Sequence, residues 1–78
     1  MKRILNLTNI RSVSYNTGDA YSYVVTLKVE WFDDHIFRYQ KDYSDSSCRE
    51  YIIEQASKAY SDIIEALNKE QKYVEIEL

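Results

Sequence analysis

Seventy-eight residues, 45% of them hydrophobic and 14% aromatic, suffice for one small core and make one domain over residues 1–78, with a stability of about 4–10 kcal/mol. One cysteine excludes an intramolecular disulfide framework and a four-cysteine zinc site, and no run approaches the roughly 20 apolar residues that a membrane-spanning helix needs. The net charge of −3 conceals a split: residues 1–41 hold six of the ten basic and four of the thirteen acidic residues, and the remainder holds four and nine. The second half therefore carries a negative field, which attracts cationic surfaces and repels nucleic acid and anionic membrane.

Met1-Lys2-Arg3 is basic, but the apolar stretch after it breaks at Asn6 and Thr8, far short of a signal-peptide core. A cytoplasmic protein is the expectation. Ile4 to Leu7 reads either as an extension of the strands that follow or as a separate short strand. Val13 and Tyr15 open an alternating pattern, and Asn16-Thr17-Gly18-Asp19-Ala20, with the one glycine, marks a turn. From Tyr21 to Trp31 the odd positions are Tyr21, Tyr23, Val25, Leu27, Val29 and Trp31, while the even ones are mostly polar, the signature of a half-buried strand. Pairing Tyr15 with Tyr21 keeps that parity.

Phe37, Tyr39 and Tyr43 continue the odd set, with the stem of Lys41 lying at the sheet margin. For both odd sets to share one face of a hairpin, paired residue numbers must sum to an even number. A two-residue turn at Asp33-Asp34 breaks this rule, so the loop Asp33-Asp34-His35 is preferred. It sets Trp31 opposite Phe37, Val29 opposite Tyr39 and Glu30 opposite Arg38. Residues 10–43 thus read as a three-stranded antiparallel meander.

Ser44-Asp45-Ser46-Ser47 supplies helix-capping residues, and Ser47 with Glu50 has capping-box spacing. Cys48, Ile52, Ala56, Ala59, Ile63, Ala66 and Leu67 then occupy about a third of a helical circumference. A helix of about six turns would lay this stripe on the tyrosine-rich sheet face. Tyr73 to Leu78 alternates once more, Val74, Ile76 and Leu78 against Glu75 and Glu77, as a short strand pairing at a sheet edge. The fold class is α+β, in the order βββαβ.

Catalytic and cofactor motifs do not emerge from this pattern, and the chain is read as a non-enzyme needing no metal or cofactor. Asp33-Asp34-His35 clusters potential ligands, but adjacent side chains diverge, and a solvated turn is the better account. Cys48 lies at a helix start, where a thiol pKa can fall, yet its place on the apolar stripe points to a buried, inert thiol. A dyad with His35 would span roughly 20–25 Å of strand.

Eight tyrosines against two phenylalanines call for an explanation. Tyr23, Tyr39 and Tyr43 suit a thin, partly wet sheet core; Tyr21, Tyr51 and Tyr60 suit an interface. On the outer sheet face Lys28 and Arg38, with Arg11 near, offer a nucleic-acid surface offset by Glu30 and Asp42, an alternative reading. A homodimer or larger homo-oligomer built on an exposed edge strand is another. The helix's outward side carries Glu50, Glu54, Ser61, Asp62, Glu65 and Asn68, a row able to imitate phosphates. Glu54 with Lys58 and Glu65 with Lys69 have the spacing of local ion pairs, which leaves Glu50, Asp62, Glu75 and Glu77 unpaired.

Thr8-Asn9-Ile10, Ser12-Val13, Tyr15, then Leu27, Val29, Trp31, Phe37 and Tyr39 together resemble the opening strands of KTSC domains over about half the chain. The glycine expected at Asp34 or His35 and the following Val-Pro are absent. The acidic set Glu50, Glu54, Asp62, Glu65, Glu75 and Glu77, on a small Tyr-, Ile- and Lys-rich domain, resembles in type phage-encoded accessory proteins, including anti-CRISPR inhibitors. That resemblance implies binding to a host nucleoprotein machine in the host cytoplasm. The expected partner is a protein with a basic surface, met by Glu50, Glu54, Asp62, Glu65, Glu75, Glu77, Tyr21 and Tyr51.

Overall fold

The computed structural model describes residues 2–18, 23–44 and 47–78. Its elements run β1 (Lys2–Asn6), β2 (Ile10–Asn16), β3 (Val24–Trp31), β4 (Ile36–Asp42), α1 (Arg49–Asn68) and β5 (Tyr73–Glu77). β2, β3 and β4 form the antiparallel meander that the alternation requires, with β3 central. Val25, Leu27 and Val29 are fully buried on its inner face, while Thr26, Lys28 and Glu30 look outward. Ile4 to Leu7 resolves as part of a separate element: β1 pairs with β5 in a two-stranded ribbon, Leu5 facing Val74 and Lys2 facing Glu77. The last strand's alternation holds, with Ile76 buried and Glu75 and Glu77 exposed.

Helix and ribbon together cover the meander, giving an α+β fold of two layers. Leu5, Leu7 and Ile76 from the ribbon meet Leu27 and Val29 from β3 and Ala59, Ile63 and Ala66 from α1. Val25, Tyr43, Ile52 and Ala56 form a second cluster. Full burial of each Ile or Leu here contributes roughly 1.5–3 kcal/mol, and the three alanines let α1 approach the strands closely. The indole Nε1–H of Trp31 donates to the Asn6 carbonyl at 2.7 Å and ties ribbon to meander.

Several sequence expectations are corrected. The β3–β4 parity is right but the register is slipped by two: Val29 faces Phe37, Leu27 faces Tyr39, and Arg38 faces Lys28 rather than Glu30. The reason lies in the loop. Asp34 N–H donates to the Trp31 carbonyl, Trp31 N–H to the His35 carbonyl, and Asp34 sits at φ 70°, so the three loop residues are Phe32-Asp33-Asp34. This is a tight turn followed by a left-handed residue, held by the Asp33 carboxylate accepting from His35 N–H. Tyr15 faces Leu27, not Tyr21, which lies outside the described residues.

The helix begins one residue later than the capping-box spacing suggests. Cys48 is the N-cap, with φ −102° and no side-chain capping bond, and it is exposed because that residue is still outside helical geometry. Its stripe companions Ile52, Ala56, Ala59, Ile63 and Ala66 are buried. At the other end Glu70 N–H bonds the Leu67 carbonyl and Gln71 N–H the Ala66 carbonyl, with Glu70 at φ 57°. That is a Schellman ending in which glutamate fills the usual glycine position.

Candidate functional site: an acidic groove between helix and ribbon

Along one side of α1, Tyr51, Gln55 and Ala59 form one row and Glu54, Lys58 and Asp62 the next, each member one turn from the last. Across from them stands Glu77 of β5, and together they line an open groove of about 300 Å³. Ala59, 2% exposed, keeps its floor shallow. Glu77 reaches the groove because alternation buries Ile76 and turns its neighbours outward. Tyr51 remains 63% exposed at the rim.

Three carboxylates share this groove with one ammonium. Lys58 Nζ lies 2.9 Å from Asp62 Oδ2, a correction to the expected Glu54–Lys58 pair. Lys58 has Glu54 one turn behind, Asp62 one turn ahead and Glu77 across the groove, and the latter two attract it together. The Asp62 hydrogen bond and charge, aided by Glu77, hold the Lys58 pKa above its ordinary value. Glu54 and Glu77 form no ion pair among the described residues, so the groove keeps a net negative charge.

Four of the eight expected partner-binding residues converge here: Tyr51, Glu54, Asp62 and Glu77. The others do not. Glu65 pairs with Lys69 at 2.7 Å, as its spacing indicates, and raises that lysine's pKa. Glu75 and Asp62, expected to be unpaired, both have partners, Glu75 meeting Lys2 at 3.7 Å across the ribbon. Glu50 sits in the first turn of α1 beside Ser47, Cys48 and Arg49, where the helix dipole favours a carboxylate. Tyr21 lies outside the described residues. Sequence reasoning did not place Gln55 and Ala59 at the site; their spacing of four and eight residues from Tyr51 was the available signal.

The remaining candidates have structural roles. Tyr60, expected at an interface, stacks on Tyr15 with centroids 5.6 Å apart and is half-buried. Tyr43 is buried, its hydroxyl donating to the Thr17 carbonyl at 2.7 Å, and Arg49 lies over the rings of Tyr23 and Tyr43. On the outer sheet face Glu30 binds Lys28 at 3.0 Å and Arg11 at 2.7 Å. The bond from Lys28 and the charges of both cations outweigh partial desolvation and hold its carboxyl below the ordinary value. His35 and Asp33 share a different hollow with Asn6, Thr8, Asn9 and Trp31, whereas Cys48 lies by the helix start.

Among the described residues, no group of three His, Cys, Asp or Glu converges to hold a metal ion. No described helix is long and apolar enough to cross a membrane. Fold and site together define a small α+β protein with a carboxylate-lined groove. No known protein family, curated protein or solved structure matches the chain, so the likenesses to KTSC domains and to anti-CRISPR inhibitors rest on the residues already quoted.

Proposed function

We propose that this chain is a non-enzymatic interaction protein, an inhibitor that offers the carboxylates of the α1–β5 groove to a basic, nucleic-acid-binding surface of a host protein machine such as a CRISPR effector complex. The observation that carries this reading is the convergence of Glu54, Asp62 and Glu77 beside the exposed ring of Tyr51, with Lys58 their sole cationic neighbour in the groove among the described residues. Glu54 and Asp62 are eight residues apart, about 12 Å along the axis, with Glu77 opposite. Such a two-sided arrangement suits an arginine- or lysine-bearing ridge that ordinarily meets phosphates. The machine's identity comes from the resemblance in type alone.

The test is affinity capture from host lysate with the wild type and with the triple variant Glu54→Lys, Asp62→Lys, Glu77→Lys as parallel baits. Each reversal at this exposed site is worth on the order of 1 kcal/mol, so the genuine partner binds the variant on the order of 100-fold more weakly. A basic protein should be retained by the wild type and lost from the variant. If both baits retain the same proteins with equal affinity, the electrostatic reading is wrong.

A further inference from the structure

The edges of the two sheets are not equally protected. β2 is interrupted by a bulge between Ile10 and Ser12, and the outward carbonyl of β1 at Asn6 is occupied by the Trp31 indole. β4 pairs with β3 in unbroken register and with no other described strand. Trp31 N–H donates to the His35 carbonyl and Tyr43 N–H to the Tyr23 carbonyl, both in the register of the Leu27–Tyr39 pair. Odd residues of β4 therefore direct their backbone groups to β3. Ile36, Arg38, Gln40 and Asp42 direct theirs outward.

One side chain on that edge is out of place in an isolated monomer. Arg38 is exposed, makes no ion pair among the described residues, and stands directly opposite Lys28, an arrangement of like charges that is locally destabilising. Lys28 has its own partner in Glu30; Arg38 has none. Four residues along the same face stands Asp42, also exposed.

A two-fold axis allows only certain registers between two copies of β4. Outward backbone groups belong to even residues, so paired numbers must both be even. Centring on Arg38 sets it against its own copy. Centring on Tyr39 sets Arg38 against Gln40 and Asp42 against Ile36. Centring on Gln40 sets Arg38 against Asp42 twice, with Gln40 against Gln40 between them and Tyr39 against Lys41 on the other face. Of these three, only the last sets each Arg38 against an opposite charge and brings no like charges together.

We infer that β4 binds a second copy of this chain edge to edge, antiparallel about Gln40, through the Arg38–Asp42 pairs, and joins the two meanders into one six-stranded sheet. The contact is isologous, so each pair occurs twice. Asp42 stays ionised because the Ser44 N–H bond lowers its pKa. α1 lies over β2 and β3, so the acidic groove stays open in the dimer, and the inference does not depend on the reading of that groove.

Sedimentation from about ten micromolar to about one millimolar, with amide hydrogen exchange over the same range, tests it. The wild type should dimerise, and the Arg38, Gln40 and Asp42 amides should slow with concentration while Val13 and Tyr15 do not. Arg38→Asp should weaken the dimer about tenfold or more without lowering the monomer's melting temperature, since the new carboxylate faces Lys28. The double variant Arg38→Asp, Asp42→Arg should restore the dimer. Gln40→Pro, which removes only an outward N–H, should abolish it and carries the test if Arg38→Asp fails to fold. A chain still monomeric at the highest concentration, a dimer indifferent to these changes, or protection that rises at Val13 and Tyr15 instead overturns the inference.

Discussion

Replacing Glu70 with glycine should make the protein more stable. At φ 57° the Glu70 Cβ crowds the following carbonyl, which costs an L-residue about 1–2 kcal/mol. Glycine removes that cost but adds unfolded-chain freedom worth about 0.5–1 kcal/mol. Deleting a carboxylate beside the last carbonyls of α1 returns about 0.3 kcal/mol. The balance is a gain of about 1 kcal/mol, which in a domain of this size raises the melting temperature by about 4–8 °C. Calorimetry or thermal circular dichroism reads this directly, and Glu70→Gln, which removes the charge but keeps the Cβ, should recover only the smaller electrostatic share. A glycine variant that melts no higher than the wild type, or no higher than Glu70→Gln, refutes the reasoning about the left-handed helix end.

Ile63→Ala at a position 0% exposed should cost about 3–4 kcal/mol in urea denaturation, whereas Ile4→Ala at 69% exposed should stay within about 0.5 kcal/mol; equal losses would contradict the packing described. Because the Glu30 pKa is lowered from 4.5 in the folded state, its contribution is complete above that value and is lost as pH falls through the folded one. The melting-temperature gap between wild type and Glu30→Gln should therefore be constant near neutrality and shrink on acidification, and a gap unchanged well below pH 4.5 would count against the Lys28–Glu30–Arg11 arrangement.

The alternation of Val25, Leu27 and Val29 and the stripe of Ile52, Ala56, Ala59 and Ile63 were legible in the sequence because each periodicity belongs to a single element. Parity alone cannot detect a slip of two residues. The choice between registers lay in the Phe32-Asp33-Asp34 loop, where Asp34 adopts a conformation that sequence rules assign first to glycine. With one glycine in the chain, Asn9, Asp34 and Glu70 fill left-handed positions without announcing them. Half the site was visible as charge. Its assembly was not, since Glu77 meets Glu54 and Asp62 through the packing of β5 directly on α1, a tertiary contact that neither element's periodicity records.

The pairing of β5 with β1 shapes how the molecule is built. Lys2 opposite Glu77 encloses nearly the whole chain in one loop, and the entropy of closing it must be met before the ribbon's own bonds can offset it. The meander hairpin and α1 rely on contacts close in sequence and can form first. The ribbon is then the closing element, and its docking buries Leu5 and Ile76 and engages the Trp31 indole. If the ribbon does dock last, fluorescence of the single tryptophan should change in a phase slower than the helical circular-dichroism signal, and coincident phases would refute that order.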